Sequence, residues 1–257
     1  MIGPNPNPLI RKFEHLYPLT AEEQSVLEGA FSRILYFGAD EDIVCEGERP
    51  SESNVLLEGW TFRYKILVDG KRQIFSFHVP GDIYDAQSFL LDTMDHSVAA
   101  LTPCKIAVIS HATMKQLTED YPRIGRALWK ETLVDAAIFR EWMANIGRRS
   151  SYQRIAHLMC EMTVKLNTVG LSDDYRRIEW PITQRELGDA LGLSSVHVNR
   201  TLMELGGEGL IQLTNSHLKI LDWAGLQKAA DFNSGYLHLK PRQPGLAATG
   251  HGAGPAS

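Results

Sequence analysis

The chain has 257 residues, 44% of them hydrophobic, and a formal net charge of −5 at pH 7, which suits two domains of ordinary size with buried cores. No run of 18 or more apolar residues is present to span a membrane, and the opening Met1-Ile2-Gly3-Pro4-Asn5-Pro6-Asn7-Pro8 lacks the basic-then-apolar order of a secretory signal. Cys45, Cys104 and Cys160 are scattered and odd in number, which argues against a disulfide framework and fits a reducing, cytoplasmic setting.

Residues 9–32 read as helical, with Thr20 and Glu23 spaced as a capping box. From about 34 to 110 the pattern changes to strands. Phe62, Tyr64 and Ile66 alternate with Arg63 and Lys65. Asp69-Gly70 is a hairpin turn, and Ile74, Ser76 and His78 then alternate with Phe75, Phe77 and Val79. Pro80-Gly81-Asp82 is a further turn, and 105–109 a further strand. Many short strands with regular turns predict a small barrel or jelly roll.

The spacing next predicts a long helix from Tyr121 to Gly147. Its apolar residues occupy more than one face, which favours a second copy of the same helix as partner over burial within one subunit. Ala137, Ile138, Trp142 and Met143 are the candidate contacts. Arg148-Arg149-Ser150-Ser151 marks a hinge, and another helix runs from Arg154 to about Val169. Asp173-Asp174 reads as a solvated turn.

The segment 181–202 is the most informative. Thr183 and Glu186 form a second capping box that opens a short helix, in which Leu187, Ala190 and Leu191 share a face. Gly192 supplies the positive φ of a sharp turn, and Ser194 caps a second helix. There Val198, Leu202 and Leu205 face inward, Val196, Asn199, Arg200 and Met203 face outward, and His197 lies at the margin. This reads as a helix-turn-helix, the geometry whose second helix enters the DNA major groove, with the surface and core of an ordinary helical hairpin as the alternative; the small hairpin that follows favours the first. Residues 210–213 and 217–220 then read as a hairpin around Thr214-Asn215-Ser216, a wing placed to touch phosphates. The candidate DNA contacts are Thr183, Gln184, Ser194, Ser195, Val196, His197, Asn199 and Arg200, with Asn215 and Ser216 on the wing.

Charge is divided unevenly. Residues 1–147 carry 14 Lys and Arg against 21 Asp and Glu, whereas residues 148–230 carry 10 against 9. Phosphate attraction must therefore come from local placement of basic residues. The Gly-, Pro- and Ala-rich end, 240–257, is expected to be disordered. The expected divisions are a sensor domain with N-terminal helices (1–120), a dimerisation helix and hinge (121–149) and a winged helix-turn-helix (150–239).

A β-roll, a long helix and a C-terminal winged helix together resemble the Crp/Fnr family of bacterial transcription regulators. The resemblance covers roughly residues 10–235 and is most specific over 182–211. Gly59, Asp69-Gly70 and Pro80-Gly81-Asp82 are similar to the family's roll in kind and order. It implies an α+β fold: an N-terminal β-roll of the cyclic-nucleotide-binding jelly-roll type, a long dimerisation helix and a winged helix-turn-helix. It also implies a homodimer that reads a palindromic operator, works with RNA polymerase, and responds to a signal in the roll.

Which signal stays open. Asp85-Ala86 falls where cyclic-nucleotide members carry Gly-Glu, and His96-Ser97 replaces their Arg-Ser, so the phosphate loses its bidentate partner and cyclic AMP is not expected. Tyr84, Asp85, His96 and Ser97 are the candidate effector residues. No cysteine precedes Cys45, so an iron–sulfur cluster is not expected. Haem stays open, with His15, His78, His96 and His111 as candidate axial ligands. Cys45 and Cys104 are expected to be buried and inert. Val196 stands where the family commonly carries a Glu that accepts from cytosine; a Val packs instead on a thymine methyl, so a T is expected there. Gly206-Gly207 is expected to end the recognition helix early.

A competing reading is a ligand-binding regulatory module whose C-terminal domain meets protein instead of DNA; the outward Arg200 and the wing speak against it. No enzyme is expected, since the chain shows no Gly-rich phosphate loop, no metal-spaced His/Cys set and no nucleophile elbow.

Overall fold

The computed structural model describes residues 7–172, 175–214 and 216–240. Two helices come first, α1 (Pro8–Leu16) and α2 (Ala21–Gly29). Pro18 cannot continue a helix, so the helical stretch is split in two. Asn7 caps α1 with Pro8 at its first position, and the Thr20–Glu23 capping box opens α2.

Seven strands follow: β1 (Arg33–Phe37), β2 (Asp42–Val44), β3 (Glu52–Glu58), β4 (Thr61–Ile66), β5 (Arg72–His78), β6 (Ser97–Ala100) and β7 (Cys104–Ser110). They form two antiparallel sheets, of order β1-β7-β3 and β2-β6-β4-β5. Then come α3 (His111–Asp120), the long α4 (Pro122–Arg148) and α5 (Ser151–Thr168). The last part holds β8 (Arg177–Glu179), α6 (Gln184–Leu191), α7 (Ser195–Gly207), β9 (Ile211–Thr214), β10 (His217–Ile220) and α8 (Trp223–Ala230). Its small sheet has the order β8-β10-β9. No helix among the described residues is long and apolar enough to cross a membrane.

Strand alternation assigns side chains to three cores. Leu56, Val98, Cys104 and Ile106 fill the interior of the roll. Their neighbours Val55, Ala107 and Ile109 point the other way, onto a layer made by α1, α2, α3 and the start of α4. On the second sheet, Phe62, Ile74, Phe77 and Ala99 join one continuous core with Trp142, α5 and the helices after it. The roll and the C-terminal part are thus packed against each other. Arg72 pairs with Asp189 at 2.9 Å and the Gln73 amide donates to the Ala190 carbonyl at 3.3 Å, so β5 holds α6 directly.

Five elements depart from the sequence pattern. A bulge between Arg63 and Tyr64 turns Arg63 inward and leaves Ile66 exposed. The Arg63 guanidinium is satisfied there by the Tyr84 carbonyl and by Asp135. The helices α3 and α8 and the strand β8 carry too few periodic apolar residues to stand out. Finally, α7 runs through Gly206 and Gly207 instead of ending before them. Gly209, at φ +70°, closes it: its amide donates to the Gly206 carbonyl and that of Leu210 to Leu205, a Schellman end in which Leu210 covers Leu205. The tail 241–257, Asp173-Asp174 and Asn215 lie outside the described residues.

Two predictions follow from packing. A Cβ on Gly188 would stand 2.7 Å from the Leu193 carbonyl, whereas one on Gly29 would meet nothing within 4 Å. Gly188→Ala should therefore cost about 1–3 kcal/mol and Gly29→Ala should add about 0.4–1 kcal/mol, read from urea unfolding. Equal effects of the two would contradict the turn geometry. The second concerns His78, whose buried imidazole is pushed down from 6.5 to about 4 by burial and then by Arg63. A depressed folded value stabilises above pH 6.5, and that contribution is lost as pH falls through about 4. It amounts to at most about 3 kcal/mol. His78→Gln should flatten the decline in stability over this window; an unchanged slope would remove His78 as its source.

Candidate nucleic-acid interface and sensor pocket

The helix-turn-helix is built by local chemistry. Thr183 Oγ1 accepts from the Glu186 amide at 3.3 Å, and Glu186 Oε2 accepts from the Thr183 amide at 2.7 Å and its hydroxyl at 2.8 Å. Gly192 turns the chain at φ +65°, and the Leu193 amide donates back to the Gly188 carbonyl at 3.1 Å. Ser194 then caps α7: its Oγ accepts from the His197 amide at 3.4 Å and lies 3.0 Å from His197 Nδ1.

This sets the rotation of α7. Val198, Thr201 and Leu205 are buried, while Ser195, Val196, His197, Asn199, Arg200 and Met203 are exposed. Leu202 is only half-buried, and Thr201 takes the inward place instead. Among the described residues Arg200 has no ion-pair partner, so its guanidinium is free to meet an acceptor from outside. Thr183, Gln184 and Arg185 are exposed at the start of α6. On the wing, Ser216 adopts φ +61° and its carbonyl accepts from Trp180 at 2.7 Å, tying the turn to β8. Exposed Arg177 and Lys219 pair across β8 and β10 and add basic groups that the sequence pattern alone did not single out.

The four candidate effector residues do not converge on one cavity. Tyr84 is fully buried in the roll interior, and its hydroxyl lacks a partner. Asp85 staples β3, accepting from the Asn54 amide at 2.7 Å and from Asn54 Nδ2 at 2.6 Å; burial raises its carboxyl to about 6. His96 turns to Asp95 at 2.6 Å, and Ser97 Oγ accepts from the Glu46 amide at 2.9 Å. The other histidines also have protein partners: His15 the Lys240 carbonyl, His78 Ser76, and His111 Ser88. Cys104 is buried, and burial pushes its thiol up to about 11; Cys45 is half-buried, and burial raises its thiol too.

One of the cavities among the described residues lies between the roll and α4. It measures about 60 Å³ and is lined by Lys12, Arg63, His78, Asp82, Glu131, Asp135 and Lys165 together with apolar neighbours. Of these, only Asp82 and His78 carried a signal in the sequence, the first as the end of a turn and the second as one histidine among several. The rest are charges on elements far apart in the chain.

On α4, Ala137 and Trp142 are buried within their own chain, so neither is available to a partner copy. Trp142 packs on Phe77, with ring centroids 6.2 Å apart, and its indole N–H donates to Glu161 at 3.0 Å. Ile138 is half-buried beside the cavity. Met143 is 74% exposed, and Trp129, Leu133 and Phe139 are exposed with it.

Comparison with known proteins agrees with both halves. The model of the cyclic nucleotide-binding domain matches residues 34–121, and that of the Crp-like helix-turn-helix domain matches residues 153–229. The nitrogen fixation regulation protein FixK of Bradyrhizobium diazoefficiens is 26% identical over 227 residues, covering 86% of this chain and 85% of its own. The transcriptional activator protein FnrL of Cereibacter sphaeroides is 25% identical, covering 84% of this chain and 88% of its own. The solved structure of FixK2 from Bradyrhizobium japonicum superposes with a TM-score of 0.70 at 23% identity, over 77% of this chain and 96% of that one. With the roll, the long helix and the helix-turn-helix in the same order, the chain belongs to the Crp/Fnr family of transcription regulators.

Proposed function

We propose that the protein is a homodimeric, sequence-specific regulator that inserts α7 into the major groove of a palindromic operator. The observation that carries this reading is the outward face of α7, where Val196, Asn199 and Arg200 stand free while Val198, Thr201 and Leu205 hold the helix from behind. Thr183, Gln184, Ser194, Ser195 and His197 lie around its start, where amides and hydroxyls reach phosphates. Ser216 and Lys219 bring the wing to the flanking backbone.

A second copy of the chain covers α4. Trp129, Leu133, Phe139 and Met143 fall within an arc of about 120° on a helix whose opposite face is buried in its own chain. A two-fold axis along this stripe sets two copies of α7 on successive turns of DNA, about 34 Å apart. The relative FnrL is named a transcriptional activator and FixK a nitrogen fixation regulation protein, and contact with RNA polymerase in the cytoplasm belongs to the same reading.

For the signal, the cavity argues against a cyclic nucleotide. Asp82, Glu131 and Asp135 face it, and Arg63 is already held by Asp135 and Tyr84. At about 60 Å³ the cavity has no room for a nucleotide, and its three cations, Lys12, Arg63 and Lys165, are already paired with those carboxylates, so none is free for a phosphate.

Arg200→Ala should weaken binding to a palindromic site, selected from a random pool by the wild-type protein, by about 1–3 kcal/mol and relax preference at one base pair per half-site. An unchanged affinity and footprint would remove Arg200 from base reading. Leu133→Glu and Met143→Glu should each give a monomer by sedimentation with much weaker binding to the same site, because each buries an unpaired charge at the proposed interface. Dimers of normal affinity in both would place the interface elsewhere.

A further inference from the structure

We propose that the cavity between the roll and α4 is a receptor for a primary ammonium group, and that Lys12 of α1 is its built-in occupant. This goes beyond the reading of α7 as a DNA reader and does not depend on it.

The geometry begins with Gly81. A Cβ there would lie 2.7 Å from the Pro8 carbonyl, so the first turn of α1 sits directly on the turn that carries Asp82. One helical turn later Lys12 reaches over it. Its Nζ lies 2.5 Å from Asp82 Oδ1 and also bonds Glu131 Oε1 on α4. The other oxygen of Asp82 takes Lys165 of α5 at 2.9 Å, and Lys165 also donates to the Phe77 carbonyl at 3.0 Å. One ammonium from α1 therefore completes a junction of roll, α4 and the first helix of the DNA-binding part.

Charge accounting points the same way. Asp82, Glu131 and Asp135 face Lys12, Lys165 and Arg63, three against three. Withdrawing Lys12 would leave one uncompensated negative charge in a buried place, and any small monocation that can donate hydrogen bonds would restore the balance. Glu131 offers more than Lys12 uses: its Oε2 is buried with no partner, beside about 60 Å³ of free space. An external primary amine competing for Asp82 and Glu131 would displace Lys12 and release α1. It would then loosen α1's other ties, from Arg11 to the Val169 carbonyl at 2.6 Å and from the Lys240 amide to the His15 carbonyl at 3.0 Å. These lead to the end of α5 and to the segment beyond α8, so the restraint on the DNA-binding part is released from both sides.

The experiment is hydrogen exchange on the full chain. Lys12→Ala should speed amide exchange in α1 and along the half of α5 that carries Lys165, on the order of tenfold. n-Propylammonium chloride, whose three-carbon stem matches the one removed, should restore protection. Tetramethylammonium chloride, which cannot donate a hydrogen bond, and sodium chloride at the same ionic strength should not. Wild-type exchange rates in Lys12→Ala, or equal rescue by all three salts, would overturn the proposal. If Lys12→Ala fails to fold, Lys12→Met keeps the stem and drops only the charge. It should show the same acceleration, and wild-type exchange in this variant would equally overturn the proposal.

Discussion

A carboxylate cannot be taken out of water alone. Asp82 is almost fully buried at the end of a tight turn, and the molecule answers by bringing cations to it from two distant parts of the chain. Burial alone would raise its carboxyl, but Lys12 and Lys165 outweigh that and hold it well below the usual range. His78 stands beside it at 3.5 Å, and the Val79 amide donates to it at 3.1 Å. The first helix, the end of β5, α4 and α5 all meet at this side chain or at a lysine that binds it.

The consequence is that roll and DNA-binding part share structure instead of being joined by a free hinge. Phe62, Ile74 and Phe77 of the second sheet belong to the same apolar core as Leu187, Ala190 and Val198 of the helix-turn-helix. At the other end of this interface Glu161 lies buried between Trp142 and Tyr236, accepting from the indole at 3.0 Å and from the phenol at 2.7 Å. Burial raises the Glu161 carboxyl, so these two donors satisfy it in whichever state it holds. A change in the roll must therefore either move the reading head as a unit or break a shared core.

Much of the reading head was legible because its signals are local. A capping box needs two residues three apart, and a left-handed turn needs a Gly at one place; Thr183, Glu186 and Gly192 meet both conditions within ten residues. The outward face of α7 followed from helical spacing once its start was known. The surroundings of the candidate effector residues were not legible in the same way. Tyr84, Asp85, His96 and Ser97 are neighbours in pairs along the chain, yet the fold sends Tyr84 into the roll, Asp85 to β3 and His96 to its own neighbour Asp95. Lys12, Glu131 and Lys165 lie more than thirty residues from each other in sequence, and nothing local marks them as partners. The long helix shows the same limit: periodicity predicts that several faces are apolar, but only packing decides that Trp142 is spent on Phe77 and Glu161 while Met143 is left outside.

The amino-acid sequence by itself determined the order of parts, the start and turn of the helix-turn-helix and the outward face of its second helix. Each of these rests on hydrogen bonds and steric limits within one or two turns of chain. Only the tertiary structure decided which charges are buried together, which way the bulge at Arg63 turns that side chain, and which stripe of α4 remains open. Those outcomes depend on desolvation, and a residue's desolvation is set by segments that the chain brings to it from far away.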